Sequence, residues 1–244
     1  MHARMSTTPV DGASTVVMVH GLAVSHRYMM PTAALLAPRY DVRVVDMPGF
    51  GLSDRAARPL DTTEHAAALG TWMDANNLPS AILIGNSFGC QILVDLVTRQ
   101  PERCTALILS GPTMDPTARS ARQQILRGLR DLAHEDPVQL PILVRDILDA
   151  GPARVWATLQ AALRDPIEDK LPLLTVPTLV LRGALEPIVP ARWARDAAQL
   201  VPGGELATVA GSPHNSVYVA ADALVAEILP FLLRNHGSMR RVGG

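Results

Sequence analysis

Aromatic side chains are scarce in this chain, with three Phe, three Trp and three Tyr among 244 residues, or 4%. Any cavity that the fold encloses is therefore expected to have aliphatic walls. Cysteine is nearly absent as well. Cys90 and Cys104 both sit in apolar segments, which argues against a disulfide framework and fits a reducing compartment. Lysine and arginine (22) almost cancel aspartate and glutamate (23), leaving a formal net charge of −1 and no basic block. Such a surface attracts neither nucleic acid nor an anionic membrane. No apolar run reaches the roughly 18 residues that a membrane-spanning helix needs. Residues 1–12 hold no apolar h-region, so no secretory signal is expected. These absences point to a soluble, cytoplasmic, globular protein, with neither nucleic acid nor membrane as a partner. Hydrophobic residues, at 48% against 18% charged, are sufficient for one large α/β core.

Six runs rich in valine and isoleucine read as strands: 15–20, 42–46, 81–86, 106–110, 178–182 and 205–210. Continuous apolar runs, rather than alternating ones, mark strands buried on both faces, as in a parallel sheet. Helical periodicity fills the intervals at 28–37, 63–76, 87–99, 191–200 and 216–233, which predicts helices on both faces of the sheet. The alternation breaks once. Residues 113–172 contain no strand signal but three helical stretches, 120–133, 138–150 and 153–164, and are too long for a loop. They are expected either to cap the carboxyl edge of the sheet or to form an ordinary helical part of the core. The expected organisation is thus a core of 1–112 and 173–235, a helical insertion at 113–172, and a frayed tail at 236–244.

Ligands of such sheets bind at the carboxyl ends of the strands, and there the sequence is most specific. Gly85-Asn86-Ser87-Phe88-Gly89 follows the apolar run 81–84 and leads into helical spacing. A serine on a tight strand-to-helix turn, with glycine two positions away on each side, is the pattern of an activated nucleophile. The glycines relieve the clash that side chains would make where strand and helix approach. Four more segments lie at strand ends: His20-Gly21-Leu22, Asp46-Met47-Pro48-Gly49-Phe50-Gly51-Leu52-Ser53, Arg182-Gly183-Ala184-Leu185-Glu186-Pro187, and Gly211-Ser212-Pro213-His214.

Together and in this order, the five segments resemble the α/β-hydrolase superfamily, in its esterase-like group with a helical cap, from about residue 15 to 231. The resemblance implies a mostly parallel sheet, no metal or organic cofactor, and a Ser-His-acid triad. Ser87 is then the nucleophile and His214 its base. The backbone N–H groups of Leu22 and Phe88 form the oxyanion hole. His20 braces its loop, and Asp46–Ser53 is a structural turn. The acid departs from the family pattern. Where aspartate is usual this chain has Glu186, one methylene longer, so either its loop retreats or its side chain folds back. Asp115, just beyond the preceding strand, is the alternative acid.

About fourteen residues precede the strand at 15–20, room for one strand within 2–6 where the family commonly has two. A seven-stranded sheet lacking the first edge strand is expected, or a chain begun downstream of its natural start. Leu22, Ala23, Phe88 and the leucines of the insertion suggest an aliphatic pocket, although those leucines also suffice to pack the insertion on itself. His26-Arg27-Tyr28 supplies either a polar handle near the site or a cap for the following helix. A serine at the elbow argues against the halide-displacing branch, which uses a carboxylate. Three functions remain: hydrolysis of a small-to-medium apolar ester through an acyl-enzyme, carbon–carbon bond hydrolysis or a lyase or cyclase reaction, and ligand binding without catalysis.

Overall fold

The computed structural model describes residues 1–7 and 12–239, with side chains described through Asn235. The first half holds β1 (Ala3–Met5), β2 (Thr15–Val19), α1 (His26–Leu36), β3 (Asp41–Val45), α2 (Thr62–Ala75), β4 (Ala81–Asn86), α3 (Phe88–Arg99) and β5 (Cys104–Ser110). Four helices follow without a strand: α4 (Ala121–Leu132), α5 (Leu140–Ala150), α6 (Pro152–Arg164) and the short α7 (Ile167–Lys170). The chain closes with β6 (Thr178–Gly183), α8 (Ala191–Leu200), β7 (Glu205–Val209), α9 (Ser216–Val219) and α10 (Ala221–Met239).

Among the described residues seven strands form one sheet in the order β1-β3-β2-β4-β5-β6-β7. Only β1 is antiparallel, pairing Ala3 with Val45 and Met5 with Arg43. Among the described residues a single strand, β1, precedes β2. Pleating sends successive side chains to opposite faces, and here both faces are covered. Val17, Val19, Leu83, Leu107 and Leu109 pack under α2, α3 and α8 with Leu69, Ile92 and Trp193. Their neighbours Val16, Met18, Ile82, Ile84 and Ile108 pack on the other face with Met29 of α1 and Leu224, Ile228 and Phe231 of α10. Each such side chain contributes about 1.5–3 kcal/mol by leaving water, and this double burial is why the strands read as unbroken apolar runs.

Local chemistry sets the element boundaries. Ser25 caps α1, its hydroxyl accepting the N–H of Arg27, and Asp61 with Glu64 forms a reciprocal capping box at the start of α2. Helix α5 begins at Leu140 rather than 138, with Pro141 in its first turn, where the missing N–H has no partner to lose. The helix anticipated over 216–233 breaks at Ala220, whose backbone (φ −131°, ψ 39°) leaves the helical region, and its second part continues to Met239. The remainder of the tail expected to fray, residues 240–244, lies outside the described residues.

Polar side chains tie the helical segment after β5 to the sheet. Gln91 of α3 donates from Nε2 to Ala162 O and Asp165 Oδ2, both at 3.0 Å. Lys170 Nζ bridges Asp95 of α3, at 2.7 Å, and Asp165. Arg27 of α1 pairs with the buried Asp146 of α5.

Candidate active site

Strand β4 turns into α3 through Ser87, whose backbone (φ 54°, ψ −118°) lies in a region that residues with a side chain rarely adopt. The close approach that permits this turn explains both glycines. A Cβ on Gly85 would stand 2.8 Å from Cys90 N, and one on Gly89 only 2.4 Å from Val19 O. Ser87 occupies the N-cap position of α3, but its hydroxyl makes no capping hydrogen bond, so the oxygen is left free beside the positive end of the helix. The N–H groups of Leu22 and Phe88 find no acceptor among the described residues. Both residues line the cavity that also holds Ser87 and His214.

His214 lies on the loop between β7 and α9, and its Nδ1 is hydrogen-bonded to Glu186 Oε1. The extra methylene of glutamate is absorbed by folding back. Glu186 Oε2 accepts the N–H of Gly183 at 3.0 Å, and Arg182 holds the carbonyl of Glu186 at 3.1 Å. The carboxylate, in a residue 3% exposed, therefore faces two donors at once. Asp115 is elsewhere. It takes Arg127 at 2.9 Å, Arg192 at 3.0 Å and the Thr117 hydroxyl at 2.8 Å. These donors hold its carboxyl at about 2 although burial would raise it. The structure thus brings Glu186, and not Asp115, to the histidine.

Three carboxyl groups surround the imidazole. Burial alone would lower the pKa of His214, but the charge and hydrogen bond of Glu186, with Asp131 and Glu135 of the helical segment, raise it above its ordinary value. Burial and the neighbouring Asp131 push Glu135 up to about 7. Asp131, raised by burial, accepts the backbone N–H of His214 at 3.1 Å. Next to it the Asn215 amide donates to Gln139. Sequence reasoning missed Asp131, Gln139 and Glu135. No local pattern could have found them, because Asp131 closes α4 and Glu135 lies in the turn beyond it, far along the chain from His214.

His20 and Asp46 brace the loops beneath. Met47 N–H donates to His20 Nε2 at 3.0 Å, so that nitrogen is unprotonated and Nδ1 donates to Gly21 O at 2.8 Å. Burial lowers the pKa of His20, in keeping with this neutral form. The fully buried Asp46 accepts His26 N and Nδ1, both at 2.7 Å, Leu52 N at 2.9 Å and His2 Nδ1 at 3.1 Å. Burial would raise its carboxyl, but these donors hold it below the usual range. Among the described residues His2, His26 and Asp46 also form the group whose ligand atoms fall within metal-binding distance. Its members are far apart along the chain, so no spacing announces it. Its carboxylate oxygens already carry four hydrogen bonds, so the cluster reads as a buttress for the Asp46–Ser53 turn.

The cavity above Ser87 encloses about 440 Å³. Its floor is Leu22, Ala23, Phe88 and Met114, and its roof comes from the helical segment with Ile125, Leu129, Leu132, Leu143 and Leu159. Leucines of that segment therefore face the cavity, whereas Trp156 is 51% exposed and takes no part. Tyr28 reaches the wall from α1, beside Asp131 and Glu135, while Arg27 is engaged with Asp146. Among the described residues no lysine or arginine lines the cavity.

A sequence profile of the α/β-hydrolase fold matches residues 14–140, and the chain belongs to that family. It is 29% identical over 242 residues to polyketide synthase ThaQ of Burkholderia thailandensis, covering 89% of this chain but 12% of that one. The matched residues cover 12%, 26% and 30% of three curated relatives, less than a third of each. To the pimeloyl-[acyl-carrier protein] methyl ester esterase of Xanthomonas campestris pv. campestris it is 28% identical over 240 residues, covering 88% and 92% of the two chains. The crystal structure of an enol-lactonase from Burkholderia xenovorans LB400 superimposes with a TM-score of 0.81 at 20% identity, over 95% and 96% of the two chains, which is a likeness of fold.

Proposed function

We propose that the protein is a serine hydrolase that cleaves a small-to-medium, largely apolar ester or related acyl substrate, with residues 113–172 as its cap domain. Ser87 attacks the carbonyl, and His214 takes its proton and returns it to the leaving group. Glu186 holds the imidazole by Nδ1 and balances its charge. The N–H groups of Leu22 and Phe88 receive the oxyanion, each such donor lowering the barrier by about 2.7–4 kcal/mol. Water then resolves the acyl-enzyme from the same side. The observation that carries this reading is the strained Ser87 with an uncommitted hydroxyl in one cavity with a histidine whose far nitrogen is held by a buried carboxylate. The named activities of the full-length relatives, an ester hydrolase among them, point the same way. Two free, buried cysteines suit a reducing cytoplasm.

A fluorophosphonate probe is expected to label Ser87 rapidly, and His214→Ala should abolish labelling while leaving the circular dichroism unchanged. A folded wild-type protein that resists the probe would overturn the acyl-enzyme reading and leave ligand binding or a non-acylating reaction on this fold.

The cavity lining also constrains the acyl chain. With carboxyl groups at Asp131 and Glu135 and no lysine or arginine among the described lining residues, a substrate ending in carboxylate meets like charge in a largely apolar cavity. At pH 8, an ester of a medium-chain acid is expected to show kcat/KM roughly tenfold or more above that of its ω-carboxylate analogue, a difference of about 1.4 kcal/mol or more. Equal values for the pair would place the acyl chain outside this cavity.

A further inference from the structure

The loop that carries His214 sits at the exposed end of the sheet, because β7 is an edge strand paired only with β6. On the sheet side it is held by Leu185 N–H to Ser212 O at 2.9 Å and by a hydroxyl pair, Ser212 and Ser216, at 2.7 Å. The His214 ring is held from the same side by Glu186, and two further attachments come from the helical segment. Asp131 Oδ1, at the end of α4, accepts the His214 N–H, and Gln139, in the turn before α5, accepts the Asn215 amide. Both are buried, at 2% and 1% exposure, where an unmet polar group is costly. Asp131 has no lysine or arginine partner among the described residues. A buried, cation-free carboxylate aimed at a backbone N–H is not explained by packing.

We infer that Asp131 and Gln139 are positioning residues, through which the cap holds the His214–Asn215 loop in register with Ser87. This rests on the catalytic reading above and deepens it: the base is delivered jointly by the sheet edge and the cap, so the triad is fully assembled only with the cap seated. The charged groups acting on the imidazole are Glu186 from the β6–α8 loop, Asp131 at the end of α4 and Glu135 in the turn beyond it, with the Tyr28 phenol beside Glu135 and Ser87 lining the same cavity. The carboxylate of Asp131 thus acts on His214 in two separable ways, by its hydrogen bond and by its charge.

The test separates them using a neutral p-nitrophenyl ester and hydrogen exchange of the peptide covering 211–217. Asp131→Ala removes hydrogen bond and charge together. It is expected to lower kcat roughly ten- to hundredfold with little change in KM, since small misplacements of a reacting group have effects of that size, and to speed exchange of the 211–217 peptide. Asp131→Asn keeps an oxygen for the N–H. It should restore most of kcat and the slow exchange, but move the acidic limb of the pH–rate profile to lower pH. Gln139→Ala should lower kcat in the same sense and serves if Asp131→Ala does not fold. Wild-type kcat and exchange in Asp131→Ala and Gln139→Ala would overturn the inference. So would an Asn variant as impaired as the Ala variant with an unmoved pH profile, which is the signature of a purely structural acid. If the wild-type protein turned over no ester, the catalytic reading would fall, and the exchange rates alone would still decide whether the cap holds this loop.

Discussion

Glu186→Gln is expected to lower kcat by roughly 10⁴-fold, the scale seen when a triad acid is replaced by its amide. The geometry makes the substitution harsher than its size suggests. Glu186 presents one oxygen to His214 Nδ1 and the other to the N–H of Gly183 at 3.0 Å, so two donors require two acceptors. An amide has a single oxygen. Turned one way, its NH₂ opposes Gly183; turned the other, it donates to Nδ1 and imposes the wrong tautomer on the base. Asp115→Asn should leave kcat close to wild type and lower the melting temperature instead, because Asp115 serves Arg127, Arg192 and Thr117. Turnover of a neutral ester by both variants, with circular dichroism to verify folding, decides the assignment. A folded Glu186→Gln enzyme with near-normal kcat would refute it.

The second large effect concerns stability rather than rate. His65 of α2 is 1% exposed, and neither ring nitrogen has a hydrogen-bond partner. It packs between Phe50 and the edge of Phe88, with centroids 6.2 and 5.8 Å away. Burial pushes its pKa down to about 3, while in the unfolded chain it returns to about 6.5. Below that higher value the unfolded state binds the proton that the native state refuses, so stability falls with pH. The contribution is whole above about pH 6.5 and is lost progressively as pH drops toward 3, at roughly 1.4 kcal/mol per unit. His20, also lowered by burial, acts in the same direction. His214, whose pKa is raised, acts oppositely: its contribution is complete at low pH and is lost as pH rises through its folded value. Chemical denaturation between pH 7 and 4 is expected to show a steep loss of stability that flattens in His65→Leu. An unchanged slope in that variant would assign the acid sensitivity elsewhere.

The pieces legible in the sequence are those fixed by local rules. Strands buried on both faces leave unbroken apolar runs, and β4 was readable to the residue because Ala81 and Gly85-Asn86 bound it. The elbow was readable because the steric demand at Gly85 and Gly89 is backbone against backbone, with no alternative residue available. His214 followed from its place after the last strand. Between Glu186 and Asp115 the sequence could only set odds, since each is an acid beyond a strand end. What separated them was long-range: two arginines, from α4 and α8, converge on Asp115. Asp131 and Gln139 were invisible for the same reason. Helical periodicity shows that α4 exists and which side is apolar, but the loop at the end of its last turn is 83 residues away in the chain. The His2–His26–Asp46 cluster likewise depends on β1 lying antiparallel beside β3, a pairing that fourteen leading residues do not announce.

The roof of the cavity comes from one uninterrupted stretch of chain, whereas the floor is assembled from several strand ends. That arrangement invites exchange of the roof as a module to accept other ligands, with Ile125, Leu129 and Leu159 as the first positions to vary. The two hydrogen bonds to the histidine loop set a condition on such a graft. A replacement segment chosen only for the shape of its inner wall would leave His214 and Asn215 without their acceptors. A transplant that keeps an acid at 131 and an amide at 139 changes what enters the cavity without unseating His214.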